Sequence, residues 1–237
     1  MKKIEIFSRH CNVSKFSDDR KRLKGFSKET CFKNLKGTID KNISNITFLM
    51  DGEMEKHFLK NEKEFEIVNI EGGSQAKSWA SALKYVNNKN FSDDQIIYFI
   101  EDDYLHLKNW NNIMLEGFEL KADYVSLYDH LDKYKLPIYE KLQSKILLGK
   151  SCHWRTVPST TLSFAVKFKT FKKHYEIYKK FNFIETGSTK DHDMFIELWK
   201  SGSNLISSIP SYSSHMDLHW LAPTVNWEEV LNNVNKS

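Results

Sequence analysis

Cysteine is scarce in this chain. Three thiols, Cys11, Cys31 and Cys152, are spread over 237 residues. An odd number so widely spaced excludes a disulfide framework and a zinc knuckle. It points to reduced thiols in a cytoplasmic protein. Long hydrophobic runs are missing too, and no segment approaches the roughly 20 apolar residues of a membrane span. Met1-Lys2-Lys3 before Ile4 to Phe7 has the charge of a signal peptide without its long apolar region. Only 9 Gly and 4 Pro exclude a flexible linker or a low-complexity tract. Neither charge sign dominates: 35 basic against 31 acidic residues leave a net +4, interspersed along the chain. That balance is too weak for nucleic acid, and it suits an anionic small substrate or peripheral contact with a membrane surface.

What is present is apolar bulk. Hydrophobic residues make up 40% of the chain, with 16 Phe, 10 Tyr and 6 Trp, enough for one substantial domain or at most two small ones. The chain is organised around Gln95-Ile96-Ile97-Tyr98-Phe99-Ile100-Glu101-Asp102-Asp103, an apolar run that stops at three consecutive carboxylates. Such a run predicts a strand buried on both faces, as in a parallel sheet covered by helices. Ligands of open α/β sheets bind beyond the carboxyl ends of the strands. Adjacent acids repel, so a fold that gathers them supplies a counter-charge. Mg²⁺ or Mn²⁺ suits carboxylate oxygens. The plainer alternative is a solvated acidic turn capping the next helix.

Further strands are expected over 3–8, 46–50, 65–70, 123–128, 161–168 and 205–209. The first ends in the polar cluster Ser8-Arg9-His10. A first crossover helix is expected within 14–36, with Lys15, Arg20, Lys21, Arg22 and Lys24 on a charged outer face and Phe16, Leu23 and Phe26 beneath. Glu71-Gly72-Gly73-Ser74 reads as a turn that lets backbone approach a ligand. It opens a helix with Ser74 at the N-cap and Ala76, Trp79, Ala80, Leu83 and Val86 on one stripe. Another helix carries Trp110, Ile113, Met114 and Phe118. Residues 129–160 read as irregular. Thr189-Lys190-Asp191-His192-Asp193 leads into a helix stopped by Gly202. The tail places His215, Asp217 and His219 at alternate positions. Strands alternating with helices over the first half predict an α/β fold with a mainly parallel sheet.

This layout resembles the GT-A-fold glycosyltransferases, which transfer a sugar from a nucleotide donor. Two motifs carry the resemblance. Tyr98-Phe99-Ile100-Glu101-Asp102-Asp103 is similar to the Asp-x-Asp metal signature in its Glu-Asp-Asp form, as in N-acetylglucosaminyltransferase I-type enzymes. The resemblance implies that Asp103 ligates Mn²⁺ or Mg²⁺ under the diphosphate, while Asp102 and Glu101 orient ribose or base. The second, Lys190 to Gly202, resembles the Glu-Asp stretch of family 2 glycosyltransferases, whose Asp opens a helix and deprotonates the acceptor hydroxyl. The match falls on Asp191. Lys190 stands where Glu is usual, which leaves Asp193 as the competitor, and both acids would also serve as N-terminal helix charges. By the same resemblance, Ser8, Arg9 and Asp51 fall in nucleoside-binding loops. Gly73 and Lys77 lie along the donor, and His215 is a further metal ligand, with Asp217 and His219 as rivals for it.

The resemblance implies a GT-A-like domain over 1–237. Its first half, 1–128, would bind the nucleoside-diphosphate sugar, and 129–237 would bind a glycan or lipid-linked acceptor, in surface polysaccharide synthesis. A cation stabilises the departing phosphate, with Arg155 or Arg9 assisting. One base and one metal imply direct displacement with inversion. Trp154, between His153 and Arg155 in a polar stretch, is expected to contact the acceptor. Two other classes compete. A non-catalytic carbohydrate-binding protein would not need Asp191. A sugar nucleotidylyltransferase should carry a glycine-rich basic loop after the first strand, and Ser8-Arg9-His10-Cys11 has no glycine.

Overall fold

The computed structural model describes residues 3–12, 14 and 19–236. The expected Lys15 and Phe16 of the first helix lie outside them. The strands are β1 (Ile4–Cys11), β2 (Ser44–Asp51), β3 (Glu66–Ile70), β4 (Ile96–Glu101), β5 (Tyr104–His106), β6 (Tyr124–Ser126) and β7 (Ile146–Leu148). They continue with β8 (His153–Thr156), β9 (Phe164–Lys167), β10 (Asn182–Phe183), β11 (Ser188–Thr189), β12 (Leu205–Ile209) and β13 (Ser213–His215). The helices are α1 (Lys28–Thr38), α2 (Gln75–Asn87), α3 (Trp110–Glu119), α4 (Asp132–Lys135), α5 (Phe168–Lys173), α6 (Tyr175–Lys180), α7 (Asp191–Lys200) and α8 (Trp227–Lys236).

Nine strands form one sheet in the order β3-β2-β1-β4-β9-β6-β12-β8-β7. The first four pair in parallel. β9 runs antiparallel between β4 and β6, β12 lies parallel to β6, and β8 is antiparallel to both β12 and β7. Only β9 and β8 therefore oppose the common direction, which is the mainly parallel α/β sheet expected. Burial of β4 explains its apolar run. Ile96, Tyr98 and Ile100 enter a core shared with α1, α3 and α8, while Ile97 and Phe99 enter a second core built by α2, α5, α6 and α7. A strand covered on both sides has no polar face to alternate with.

Local chemistry sets the helix starts. Ser74 caps α2 by accepting from the Lys77 N–H. Ser27 caps α1 in the same way through Thr30, and Gly25 just before it has φ +86°. Among the described residues the first helix thus begins at Lys28, and Arg20, Lys21, Arg22 and Lys24 lie in turns and loop ahead of it, a correction to the expected outer helical face. Gly202, at φ +90°, ends α7 as expected. The first strand is longer than expected: Ser8, Arg9 and His10 lie within β1 rather than in a loop beyond it.

Candidate functional site

The carboxyl ends of β1, β2 and β4 open into a cleft of about 440 Å³, a size typical of ligand pockets. Its floor is the acidic tripeptide, and its far wall is the turn into α2. Asp51, at the end of β2, accepts from the Gly73 N–H through both carboxylate oxygens, at 2.9 and 3.1 Å. A Cβ on Gly72 would lie 1.9 Å from the Asp51 carboxyl, and Gly73 has φ +89°. Gly72 is required by this close approach, and Gly73 by its left-handed backbone. Burial raises the Asp51 carboxyl above its ordinary value, against the Gly73 bond and the Arg9 charge. Thr186 and Gly187, in the turn between β10 and β11, complete this wall.

Each acid of the tripeptide meets a cation from a different part of the chain. Arg9 sits opposite Glu101 in the β1–β4 register and donates to its Oε1 at 2.8 Å, with its guanidinium over the Trp79 ring. The Nε of Arg9 is buried with no hydrogen-bond partner among the described residues. Asp102 accepts from Lys28 Nζ at 2.9 Å and from the Cys11 N–H at 3.1 Å. Burial pushes Asp102 up against the pull of Lys28, and the neighbouring Asp103 charge adds to the rise. Asp103 behaves in the opposite way. Burial alone would raise it, but His215 and Arg22 hold it well below the usual carboxylate range. Arg22 donates to Asp103 Oδ2 at 2.8 Å.

His215 reaches this point because β13 pairs antiparallel with β5, which puts it beside Tyr104 immediately after the acids. Its Nε2 lies 2.9 Å from Asp103 Oδ2 and also contacts the Arg20 guanidinium. One ring nitrogen cannot donate to the carboxylate and accept from the guanidinium at once. The depressed Asp103 carboxyl goes with Nε2–H donating to Oδ2 and the Arg20 guanidinium packed beside it, so that proton would have to leave before the two atoms could share a cation. Two ligands at right angles on a cation with bonds of ~2.1 Å stand about 3 Å apart, close to this separation. The pair has ligand atoms suited to Mn²⁺ or Mg²⁺, but Oδ2 already accepts from Arg22 and lies 3.8 Å from Arg20, so a cation there would displace these guanidinium groups. No third Asp, Glu, His or Cys joins it among the described residues, so phosphate oxygens and water would complete the shell. Asp217 instead pairs with Arg20 at 3.7 Å, and His219 is exposed.

Asp191 opens α7, where its Oδ1 accepts from the His192 N–H at 2.9 Å. Burial pushes its carboxyl up to about 6, the Glu101 charge adds to the rise, and Lys133 opposes it. Glu101 thus connects the two parts of the site, lining the cleft and acting on Asp191. Beside Asp191 runs a polar network that the sequence did not reveal. The Tyr139 hydroxyl joins Ser159 Oγ and His192 Nδ1, both at 2.9 Å. Lys133 Nζ donates to Ser159 Oγ at 3.1 Å, and burial lowers its affinity for the proton. These side chains come from α4, from the turn after it, from the 157–161 loop and from α7. Their only sequence signal was the density of polar groups in a stretch read as irregular.

Of the expected site residues, Arg9, Asp51, Gly73, Glu101, Asp102 and Asp103 line one cleft. His215 joins them through Asp103. Others do not. Ser8 is buried inside β1 and bonded to His10 Nε2. Lys77 is exposed on α2, with its backbone N–H on the Ser74 cap. Asp193 is exposed on α7, while Asp191 is half-buried there and lies outside the cleft lining, reaching the tripeptide only through the charge of Glu101. Trp154 is a correction: it is fully buried in β8, its indole N–H donates to Glu116, and it cannot stack on an acceptor. Arg155 is a second correction, because Asp129 holds its guanidinium at 2.6 and 3.0 Å away from the cleft lining. The sequence reading missed Arg20, Lys28 and Ser14 as cleft residues.

No protein-family model matches the sequence, and no curated protein matches it. Solved structures match by fold. A 4-diphosphocytidyl-2C-methyl-D-erythritol synthase from Anaerococcus prevotii superposes with a TM-score of 0.51 at 11% identity, covering 99% of this chain and 95% of its own. A CMP:2-keto-3-deoxy-manno-octonic acid synthetase complexed with CTP gives 0.53 at 9% identity and 99% of each chain. The galactosyltransferase LgtC, complexed with donor and acceptor sugar analogues, gives 0.48 at 8%, over 81% of this chain and 69% of that one. At such identities the likeness to the first two is one of architecture, an α/β sheet flanked by helices.

Proposed function

We propose that this protein is a nucleotide-sugar-dependent glycosyltransferase acting by direct displacement with inversion. The observation that carries the reading is the pairing of Asp103 Oδ2 with His215 Nε2 at 2.9 Å on the cleft floor, with Asp191 raised to about 6 beside the same tripeptide. Asp51, Gly73 and Asp102 would receive the nucleoside, and Arg9 would face the phosphates. Asp103 and His215 would hold Mn²⁺ or Mg²⁺, which supplies positive charge for a departing diphosphate. Asp191, ionised at neutral pH, would take the proton from an acceptor hydroxyl, and positioned bases of this kind contribute about 10²–10⁴-fold. The acceptor would be a glycan or a lipid-linked sugar, in the synthesis of a surface polysaccharide at the cytoplasmic side.

A nucleotidylyltransferase is the second reading, and one observation favours it. The loop between β1 and α1 has no glycine next to the strand, yet it brings Arg20 and Arg22 onto Asp103, and Lys28 follows. Now paired with Asp102, Asp103 and Asp217, these cations would turn to the phosphates of a bound triphosphate. Thermal denaturation with a panel of nucleoside diphosphates, triphosphates and nucleotide sugars, each with and without Mn²⁺, separates the two. Ligands that bind the native state raise its melting temperature by mass action. A Mn²⁺-dependent shift with one nucleoside diphosphate, lost in His215→Ala, supports the transferase. A shift confined to one triphosphate, followed by pyrophosphate release with a sugar substrate, supports the rival. No shift with any nucleotide refutes both.

A further inference from the structure

The segment between the acceptor-side network and the sheet edge exposes more aliphatic surface than any other part of the described chain. Tyr134, Leu136 and Ile138 are exposed, and so are Ile146 and Leu148 on β7, with Ile138 at 69% and Leu148 at 74%. Strand register joins the two groups. Ile146 lies opposite Arg155, and Leu148 opposite His153, so all four side chains share one face of the sheet. The Arg155 guanidinium in turn lies 4.7 Å from the centre of the Tyr134 ring. The exposed run 134–138 therefore begins where the outward face of β7 ends. Leu147, the intervening residue, packs inward against the core.

Lysines border this surface. Lys135, Lys141, Lys145 and Lys150 are all exposed, against the exposed Glu140 and a Glu119 that pairs with Lys150. Scattered exposed leucines need no explanation, but a contiguous aliphatic group bordered by an excess of lysine does. We propose that this surface docks on an anionic phospholipid bilayer. Aliphatic side chains would enter the headgroup boundary while the lysines meet lipid phosphates. β7 is the sheet's edge strand, and the lysines on either side of it work against strand-to-strand pairing with a second copy. Tyr139 lies next to Ile138 and carries the hydroxyl that joins Ser159 and His192, so the bilayer would stand beside the polar network next to Asp191. The proposal goes beyond the reaction and does not depend on it.

Vesicle co-sedimentation tests this without any substrate. The full-length protein is mixed with neutral phosphatidylcholine vesicles and with vesicles holding roughly one-third phosphatidylglycerol. The expected result is at least about tenfold stronger binding to the anionic vesicles, falling as salt rises. In the double variant Ile138→Glu, Leu148→Glu that binding drops about tenfold or more. The triple variant Lys135→Ala, Lys141→Ala, Lys145→Ala loses the preference for anionic lipid. Far-UV circular dichroism confirms that these surface variants fold. Absence of binding to either vesicle overturns the proposal, as does equal binding by the double variant. A dimer in sedimentation velocity that the double variant dissolves assigns the surface to a second copy and overturns it too.

Discussion

Asp191→Asn distinguishes a catalytic base from a helix cap because the two roles predict opposite changes in stability. The Asp191 carboxyl stands at about 6 in the folded protein against an ordinary 3.8. A folded-state value above the unfolded one means that the folded protein binds the proton more tightly. Its stability is then greatest below 3.8 and declines as pH rises from there to about 6. At about 1.4 kcal/mol for each tenfold in proton affinity, holding Asp191 ionised at neutral pH costs about 3 kcal/mol. Asn removes that cost and can still accept the His192 N–H. Losing the charge at the first turn of α7 takes back about 0.5 kcal/mol. The variant should therefore gain about 2 kcal/mol, or roughly 4–8 °C in melting temperature for a chain of this size, while turnover falls about 10²–10⁴-fold. Wild-type turnover should rise about tenfold per pH unit below 6 and level off above it. Thermal denaturation at pH 7 and the pH profile of nucleotide release are the two measurements. A variant that melts lower and keeps its activity would refute the assignment and leave Asp191 as a cap.

Three more outcomes follow from the same geometry. Lys133→Met removes the ammonium that opposes the rise at Asp191, so the acidic limb of the pH profile should move to higher pH. A limb that stays in place breaks the link between the two. Gly72→Ala drives a Cβ into the Asp51 carboxyl, and should abolish the nucleotide-dependent thermal shift at a stability cost of about 1–3 kcal/mol. Retention of that shift would show that the Asp51–Gly73 contact does not matter for binding. Trp154→Ala should destabilise by about 3–5 kcal/mol in urea and leave the acceptor KM of the surviving folded fraction unchanged. A large KM change instead would return Trp154 to the site.

The sheet was legible where burial made it uniform. β4 announced itself because a strand with a core on each side has no polar positions, and Ser74 marked α2 because its hydroxyl is the cap. The insertion of antiparallel β9 between β4 and β6 left no mark in periodicity, since neighbour choice is a long-range matter. The roles proposed for Asp103 and His215 at a cation came only from the family resemblance. Nothing local tells His215 from His219, and β13 pairing with β5 makes the choice. Trp154 and Arg155 misled for an instructive reason. His153-Trp154-Arg155 is polar on average, yet its burial alternates as a strand does, with Trp154 inward, and Arg155 is claimed by an Asp 26 residues away. Arg20 and Arg22 looked like solvated charge because their partner, Asp103, lies some eighty residues on.

The pairing of β5 with β13 ties the last quarter of the chain to the tripeptide at its centre. The cleft is consequently not a module that the first half could carry alone. Cutting the polypeptide in the loop before β12 and mixing the two pieces should restore the cation-dependent thermal response only when both are present. Reassembly of the fragments thereby becomes a direct gauge of whether the cleft has closed.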